Sequence, residues 1–414
     1  MRDQHIQEAL AMIYRGEGAR VLSTLIRLLG DFDLAEDAMQ MAFAAAVEKW
    51  PKDGIPDNPR AWLVSTGRFK AIDSLRRDTK MFAALREVAS RADNDFPEGD
   101  EKSIEDDRLA LIFTCCHPSL SREAQVALTL REVCGLTTEE IARAFLTSAP
   151  TIAQRIVRAK AKIREERIQY EVPDRDELPE RIQGVLHVAY LLFNEGYYAS
   201  SGDSLTRQVL SDEAIRLGRL LAELMPDPEV FGLLALMLLQ ESRRVARASS
   251  EGDVILLPDQ DQSLWNHDLI KEGLALGDRS QGSPGLFGLQ AAIAIVHIQG
   301  ALRGHTDWNR IVSLYDSLLE LNPSAVVELN RAVAVSMRDG PDAGVHLIEE
   351  LLDGGALNDY VLAHSARADL LRRLGRYDEA GSAYSRALEL ATQAAERRFL
   401  EARISEVSNL AIKK

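Results

Sequence analysis

Cysteine is nearly missing from this chain: Cys115, Cys116 and Cys134 are the only three in 414 residues. Their odd number, confined to one short region, excludes a disulfide scaffold and fits a reducing, cytoplasmic compartment. Aromatic residues make up only 6%, and 26 Gly and 14 Pro are far too few for collagenous or low-complexity chains. No convincing alternating pattern of a strand appears. Neither a nucleophile–base pair nor a phosphate-binding glycine loop is present, so the sequence supports no enzyme and no cofactor. Cys115-Cys116-His117 lacks paired ligands at metal spacing and reads as packing, so no metal is expected. The N-terminus MRDQHIQEALAMIY carries charge and lacks a signal peptide's apolar core. The longest uncharged stretch, 280–302, is interrupted by Gln290, His297 and Gln299 and reads as a buried helix, not a membrane span.

What is present is 46% hydrophobic and 27% charged residues, the composition of a globular protein. At roughly 100–200 residues per domain, two to four domains are expected. The net charge of −15 argues against nucleic acid only as an average, because the charge is segregated. Residues 1–80 balance 12 basic against 12 acidic side chains, 81–119 carry −5, 120–170 carry +3, and 171–414 carry −13.

Helical spacing recurs through IQEALAMIYRGEGARVLSTLIRLL, a polar break follows at Asp31 to Asp33, and LAEDAMQMAFAAAVEKW resumes it. Residues 51–59 (PKDGIPDNP) form a loop, with Asn58 and Pro59 as N-cap and first turn of RAWLVSTGRFKAIDSLRRD. Residues 93–107 hold eight acids against one lysine, too polar to fold alone, and read as linker. A second helical block runs over 108–170. The remainder looks helical apart from an irregular insertion at 248–262. Within it, residues 361–392 place Ala368, Ala380 and Ala387 where two helices pack closely, with Gly375 and Tyr377 at the turn. Looser units at 291–324 and 325–360 precede it, and these units resemble tetratricopeptide repeats. The motif Asn194-Glu195-Gly196-Tyr197-Tyr198 and His364 carry no catalytic pattern, and His364 reads as packing.

TTEEIARAFLTSAPTIAQRIVRAKAKIR, residues 137–164, divides into a short helix capped by Thr138, a tight turn near 146–148 and a longer helix, a helix-turn-helix pattern. Ile141, Ala142, Ile152 and Ile156 are its expected inter-helix core. Six cations from Arg155 to Arg167, against Glu165 and Glu166, suit phosphate. Helices in the major groove read base edges with their N-terminal residues. Ser148, Thr151, Gln154 and Arg155 are therefore the specificity candidates, with Arg158 and Lys162 as phosphate positioners. The competing reading is a solvated basic helix face.

DLAEDAMQMAFAAAVEKWP followed by NPRAWLVSTGRFKAIDSLRRD resembles the region-2 domain of bacterial extracytoplasmic-function sigma factors, and GLTTEEIARAFLTSAPTIAQRIVRAKAKIR resembles their region 4. An acidic linker between the two is usual there, and the helical-repeat tail resembles a long subgroup of that family. The resemblance implies an all-α fold: region 2 (1–80), linker (81–107), region 4 (108–170) and a tetratricopeptide-like regulatory domain (171–414). It implies a non-catalytic transcription initiation factor that binds core RNA polymerase, through the β′ coiled coil and β flap, and promoter DNA. Asp33, Glu36, Asp37, Gln40 and Phe43 match the edge that docks on the β′ coiled coil, although Phe43 equally fits bundle core. Arg60, Arg68, Lys70, Arg76 and Arg77 match the helix that binds the −10 element, and loop 52–58 the segment that captures a flipped base. Trp62 reads as core. Phe69 stands where the family often has asparagine, and Leu146, Pro150 and Ala153 replace a turn glycine, a helix glycine and a lysine, so promoter sequence does not transfer. The repeats are expected to bind an unnamed protein or peptide and to control the chain's own activity. The alternatives are a DNA-binding regulator with a peptide-sensing tail that never joins polymerase, and a scaffold that has lost DNA binding.

Overall fold

Local capping sets the first helices. In the computed structural model, which describes residues 2–77, 101–145, 147–197, 207–249, 253–281 and 285–412, α1 (Arg2–Leu29) stops at Gly30, whose φ of +71° suits a glycine. The Asp31 carboxylate then accepts the Leu34 N–H at 2.9 Å and starts α2 (Phe32–Asp53). Asn58 accepts the Ala61 N–H at 3.1 Å at the head of α3 (Pro59–Arg77). The three helices bury Leu25, Ala35, Ala38, Ala42, Trp50 and Leu63. Trp62 packs edge-on against Trp50 at 5.4 Å. Gly67 permits a close crossing, since a Cβ there would lie 2.9 Å from the Ala38 carbonyl oxygen.

Next in the first unit is α4 (Glu101–Cys115), which begins inside the stretch read as linker. Its last acid explains why: Asp107 is buried and accepts hydrogen bonds from Thr24 at 3.1 Å and Arg27 at 2.6 Å, so packing on α1 overrides the polar composition. Helix α5 (Arg122–Leu128) continues into a π-turn at Thr129–Val133, and α6 (Thr138–Ala144) and α7 (Ala149–Glu165) follow.

The chain divides into two compact units, Met1–Val188 and Ala189–Lys414, and α8 (Leu178–Tyr197) belongs to both ranges. In the second unit α9 (Gln208–Leu224), α10 (Pro228–Glu241), α11 (His267–Ser280) and α12 (Leu286–Arg303) form a tight cluster. Helix α12 is long and apolar enough to cross a membrane, and its packed side buries Phe287, Leu289, Ala291, Ile293, Val296 and Ile298.

Helices α13 (Trp308–Leu321), α14 (Ala325–Asp339), α15 (Pro341–Asp353), α16 (Val361–Arg373), α17 (Tyr377–Leu390) and α18 (Ala394–Ile412) follow, each packed chiefly on the helices before and after it. This nearest-neighbour packing is that of a helical repeat array. Ala368, Ala380 and Ala387 are fully buried, and Gly375 turns the chain at φ +73°. Among the described residues the β pairing is one isolated bridge, Ala248 to Val254. Among the described residues the fold is all-α, two small helical domains followed by a region of helices stacked on their neighbours.

Candidate nucleic-acid interface

Helix α6 opens with a reciprocal cap: Thr137 Oγ1 accepts the Glu140 N–H at 3.2 Å while Glu140 Oε2 accepts the Thr137 N–H at 2.8 Å. The cap is thus Thr137, one residue before the Thr138 expected from sequence, because only Thr137 has a glutamate three residues on that reaches back. Ser148 caps α7, its hydroxyl accepting the Thr151 N–H at 3.3 Å and lying 2.7 Å from the Thr151 hydroxyl. Ile141, Ala142, Ile152 and Ile156 are buried between the two helices. Leu146, in the turn, lies outside the described residues.

Of the expected base-reading and phosphate-binding residues, Ser148, Thr151, Gln154, Arg158 and Lys162 are exposed and Arg155 is half-buried. Thr151, Arg155, Arg158 and Lys162 follow the helical repeat and make one stripe along α7. Lys162 donates to the Ser119 carbonyl at 2.5 Å, which ties that end of the stripe to the turn before α5. Lys160 is different. It is 7% exposed, with its ammonium 2.9 Å from Glu132 and 2.6 Å from Glu36, so it is not one of the phosphate-seeking cations the sequence suggested. Burial pushes the Glu132 carboxyl up from the ordinary glutamate range against the pull of Lys160. Burial would lower Lys160, but the two carboxylates outweigh it and hold the ammonium charged.

On α2, Asp33, Asp37 and Gln40 are exposed and Glu36 is half-buried, all on one side of the helix. Phe43 lies half-buried with its ring 5.1 Å from Tyr14, edge to face. Asp33 pairs with Arg164, whose Nε also lies 3.4 Å from Asp31. On α3, Arg60 is 3.8 Å from Glu17, Arg68 is half-buried and Lys70 exposed, and Phe69 between them is 71% exposed. Arg76 and Arg77 close α3, and their side chains lie outside the described residues.

Other clusters resolve into packing. Glu195 pairs with Arg207, the Arg247 guanidinium sits 3.5 Å over the Tyr197 ring, and a Cβ at Gly196 would meet the Ser211 backbone at 2.2 Å. Cys116 is pushed up to about 11 by burial, so its thiol stays protonated and unreactive. No group of three potential metal ligands occurs among the described residues. His364 lies 2.9 Å from the Asn358 carbonyl.

Family models match this chain at three places: sigma-70 region 2 over residues 13–81, sigma-70 region 4 over 110–163, and a family of unknown function, DUF6596, over 181–281. An uncharacterised protein of Rhizobium meliloti (strain 1021) is 42% identical over 397 residues, covering 94% of this chain and 93% of that one. A Mycobacterium tuberculosis protein described as "Probable ECF RNA polymerase sigma factor SigI" is 27% identical over 167 residues, 39% of this chain and 56% of its own length. The solved tetratricopeptide domain of P58(IPK) overlaps 90% of this chain and 94% of its own at 15% identity with a TM-score of 0.29, too loose to establish a common fold. A polar-edged helical bundle followed by a basic helix-turn-helix, each matched by its own model in order, defines a sigma factor. The chain carries sigma-70 region 2 and region 4 domains, similar in that part to the probable extracytoplasmic-function sigma factor, followed by a C-terminal helical extension.

Proposed function

We propose that this sigma factor joins core RNA polymerase through the α2 edge formed by Asp33, Glu36, Asp37, Gln40 and Phe43 on the β′ coiled coil, and through residues 108–170 on the β flap. The observation that carries the reading is the exposed stripe Thr151, Gln154 and Arg158 on a capped helix of a helix-turn-helix, in the same unit as a polar docking edge. Ser148, Thr151, Gln154 and Arg155 read the −35 element, and Arg158 and Lys162 hold phosphates. Arg60, Arg68, Lys70, Arg76 and Arg77 of α3 bind the −10 element, where strand opening needs cations and an unstacked-base pocket. Residues 81–100, ahead of α4, connect the two halves along the chain. The protein itself catalyses nothing, and it acts where polymerase is, in the cytoplasm.

Residues 171–414 form the regulatory domain in this proposal. Their acidity, −13, suits contact with basic surfaces, and a groove of about 770 Å³ between α11, α12 and α13, edged by Gln281, Gln299, Arg303 and Arg310, has room for a peptide. Binding of purified chain to core polymerase tests the reading. Asp37→Lys is expected to weaken association at least tenfold, which a DNA-binding regulator that never joins polymerase would not register.

A further inference from the structure

The groove of about 770 Å³ between α11 and α13 runs along α12 from Gly288 to Arg303, about 22 Å at the helical rise. Half-buried Leu274, Ala292, Ile295 and Leu314 line it with apolar surface. One end is cationic. Arg303, His305 and Arg310 are exposed there, and among the described residues neither guanidinium has an ion-pair, hydrogen-bond or ring partner. Acids are in excess in this half of the chain, and Arg219, Arg331 and Arg367 are paired with Glu272, Asp316 and Glu349. The acid between the two free arginines in sequence, Asp307, is taken up as the cap of α13, its carboxylate accepting the Arg310 N–H at 3.0 Å. The other end of the groove carries Asp278, which accepts a hydrogen bond from the Gln281 amide at 3.3 Å. Between the ends lies half-buried Gln299, whose amide has no partner among the described residues.

We propose that this groove binds an extended peptide segment of a partner protein, with an acidic residue at the Arg303 and Arg310 end, apolar side chains along the floor and a basic residue toward Asp278. The inference rests on the groove being a peptide site, as read above, and adds the chemistry of the partner. The length fits, since about six or seven extended residues, at roughly 3.3 Å each, fill about 22 Å. Guanidinium groups left unpaired in an acidic domain suit a carboxylate, which they bind through parallel N–H donors. Gln299 decides between a peptide and a hydrocarbon acid. An acyl chain would cover its amide and leave it unpaired, whereas a peptide bond supplies both a donor and an acceptor. Opposite charges at the two ends fix the direction in which the segment lies. The −13 of residues 171–414 repels acids in general, but salt screens that repulsion beyond roughly 8 Å, so the two arginines act where the segment touches them.

Selection of phage-displayed random octapeptides on the immobilised full chain tests this, followed by fluorescence anisotropy of the selected peptide carrying fluorescein. The selected sequences are expected to share an acidic residue separated by apolar residues from a basic one. The double variant R303E/R310E is expected to lower affinity at least about twentyfold, and R303K/R310K about three- to fivefold, because charge remains without the planar fork. Both arginines are exposed, so neither change disturbs packing. Ala292→Trp, which fills the floor, is expected to abolish binding with the urea midpoint unchanged. Dodecanoate, a carboxylate on an apolar chain without amides, is expected not to displace the peptide. Peptides lost with Ala292→Trp that lack an acid, or that ignore R303E/R310E, overturn the acidic partner and leave the groove a peptide site. No selected peptide, or binding that survives Ala292→Trp, overturns the site as well. Displacement by dodecanoate at matching affinity makes the ligand a small acid and overturns the peptide. Polymerase and DNA take no part in these measurements, so every one of these outcomes leaves the sigma reading intact.

Discussion

Charge on α7 is sorted by burial, and this decides what each cation does. Arg158 is exposed with no ion-pair partner among the described residues, whereas Lys160, two positions on, is buried between two carboxylates. Arg158→Ala is therefore expected to weaken promoter binding about five- to tenfold for every sequence and to reduce the slope of log affinity against log salt by about 1. Gln154→Ala should instead relax preference at one base position, and a binding series over variant −35 elements separates the two effects. A second residue-scale expectation concerns acid stability. Burial, with Arg243 nearby, pushes His297 down to about 4, and its ring packs edge-on against Trp308 at 5.5 Å. A histidine with its folded value depressed binds fewer protons folded than unfolded, so its contribution is full above about 6.5 and is lost as pH falls toward 4. Up to about 3 kcal/mol should disappear over that window, and His297→Phe should flatten this dependence in urea titrations. An unchanged slope in the variant would contradict the assignment.

Helix ends carry much of what holds the elements, and this is where sequence and structure part. The Asn58-Pro59 start and the Gly375 turn were legible because their partners lie within a few residues, as was the Ile141, Ala142, Ile152 and Ile156 core of the helix-turn-helix. The N-terminus of α12 was not. Its Phe287 and Gly288 N–H groups donate to Glu229 at 3.0 and 2.8 Å, a buried carboxylate 58 and 59 residues away. Gly232 and Gly288 let α10 and α12 touch, since a Cβ on Gly232 would come 2.6 Å from the Gly288 nitrogen. Glu229→Ala leaves two buried donors unpaired and is expected to cost about 2–4 kcal/mol, read as a lower urea midpoint of the second unit. The pairing of Lys160 with Glu36 was hidden for the same reason: helical periodicity places both residues on faces but does not say which faces meet across 124 residues. The acidic run at 93–107 misled in part because composition cannot register that Asp107 finds Arg27 and Thr24.

At the scale of the molecule, a neutral region 2, a basic region 4 and an acidic C-terminal half occupy successive stretches of the chain. The family models bear out the resemblance in the first two stretches and give the third no function. A fragment ending at residue 188 keeps the Arg181 bond to the Phe113 carbonyl at 3.1 Å and removes the second unit. If the C-terminal domain restrains the factor, promoter output from this fragment with core polymerase is expected to exceed that of the full chain severalfold. Lower output would make the domain a required contact. The most direct test of the whole account is in vitro transcription with purified core polymerase, this protein and fragmented genomic DNA from its source, with transcript starts sequenced. The account predicts defined starts that share two upstream elements at −35 and −10 spacing and vanish when the protein is omitted. No association with core and no specific starts, by the full chain or by the fragment, would contradict it and leave a helix-turn-helix regulator that never joins polymerase.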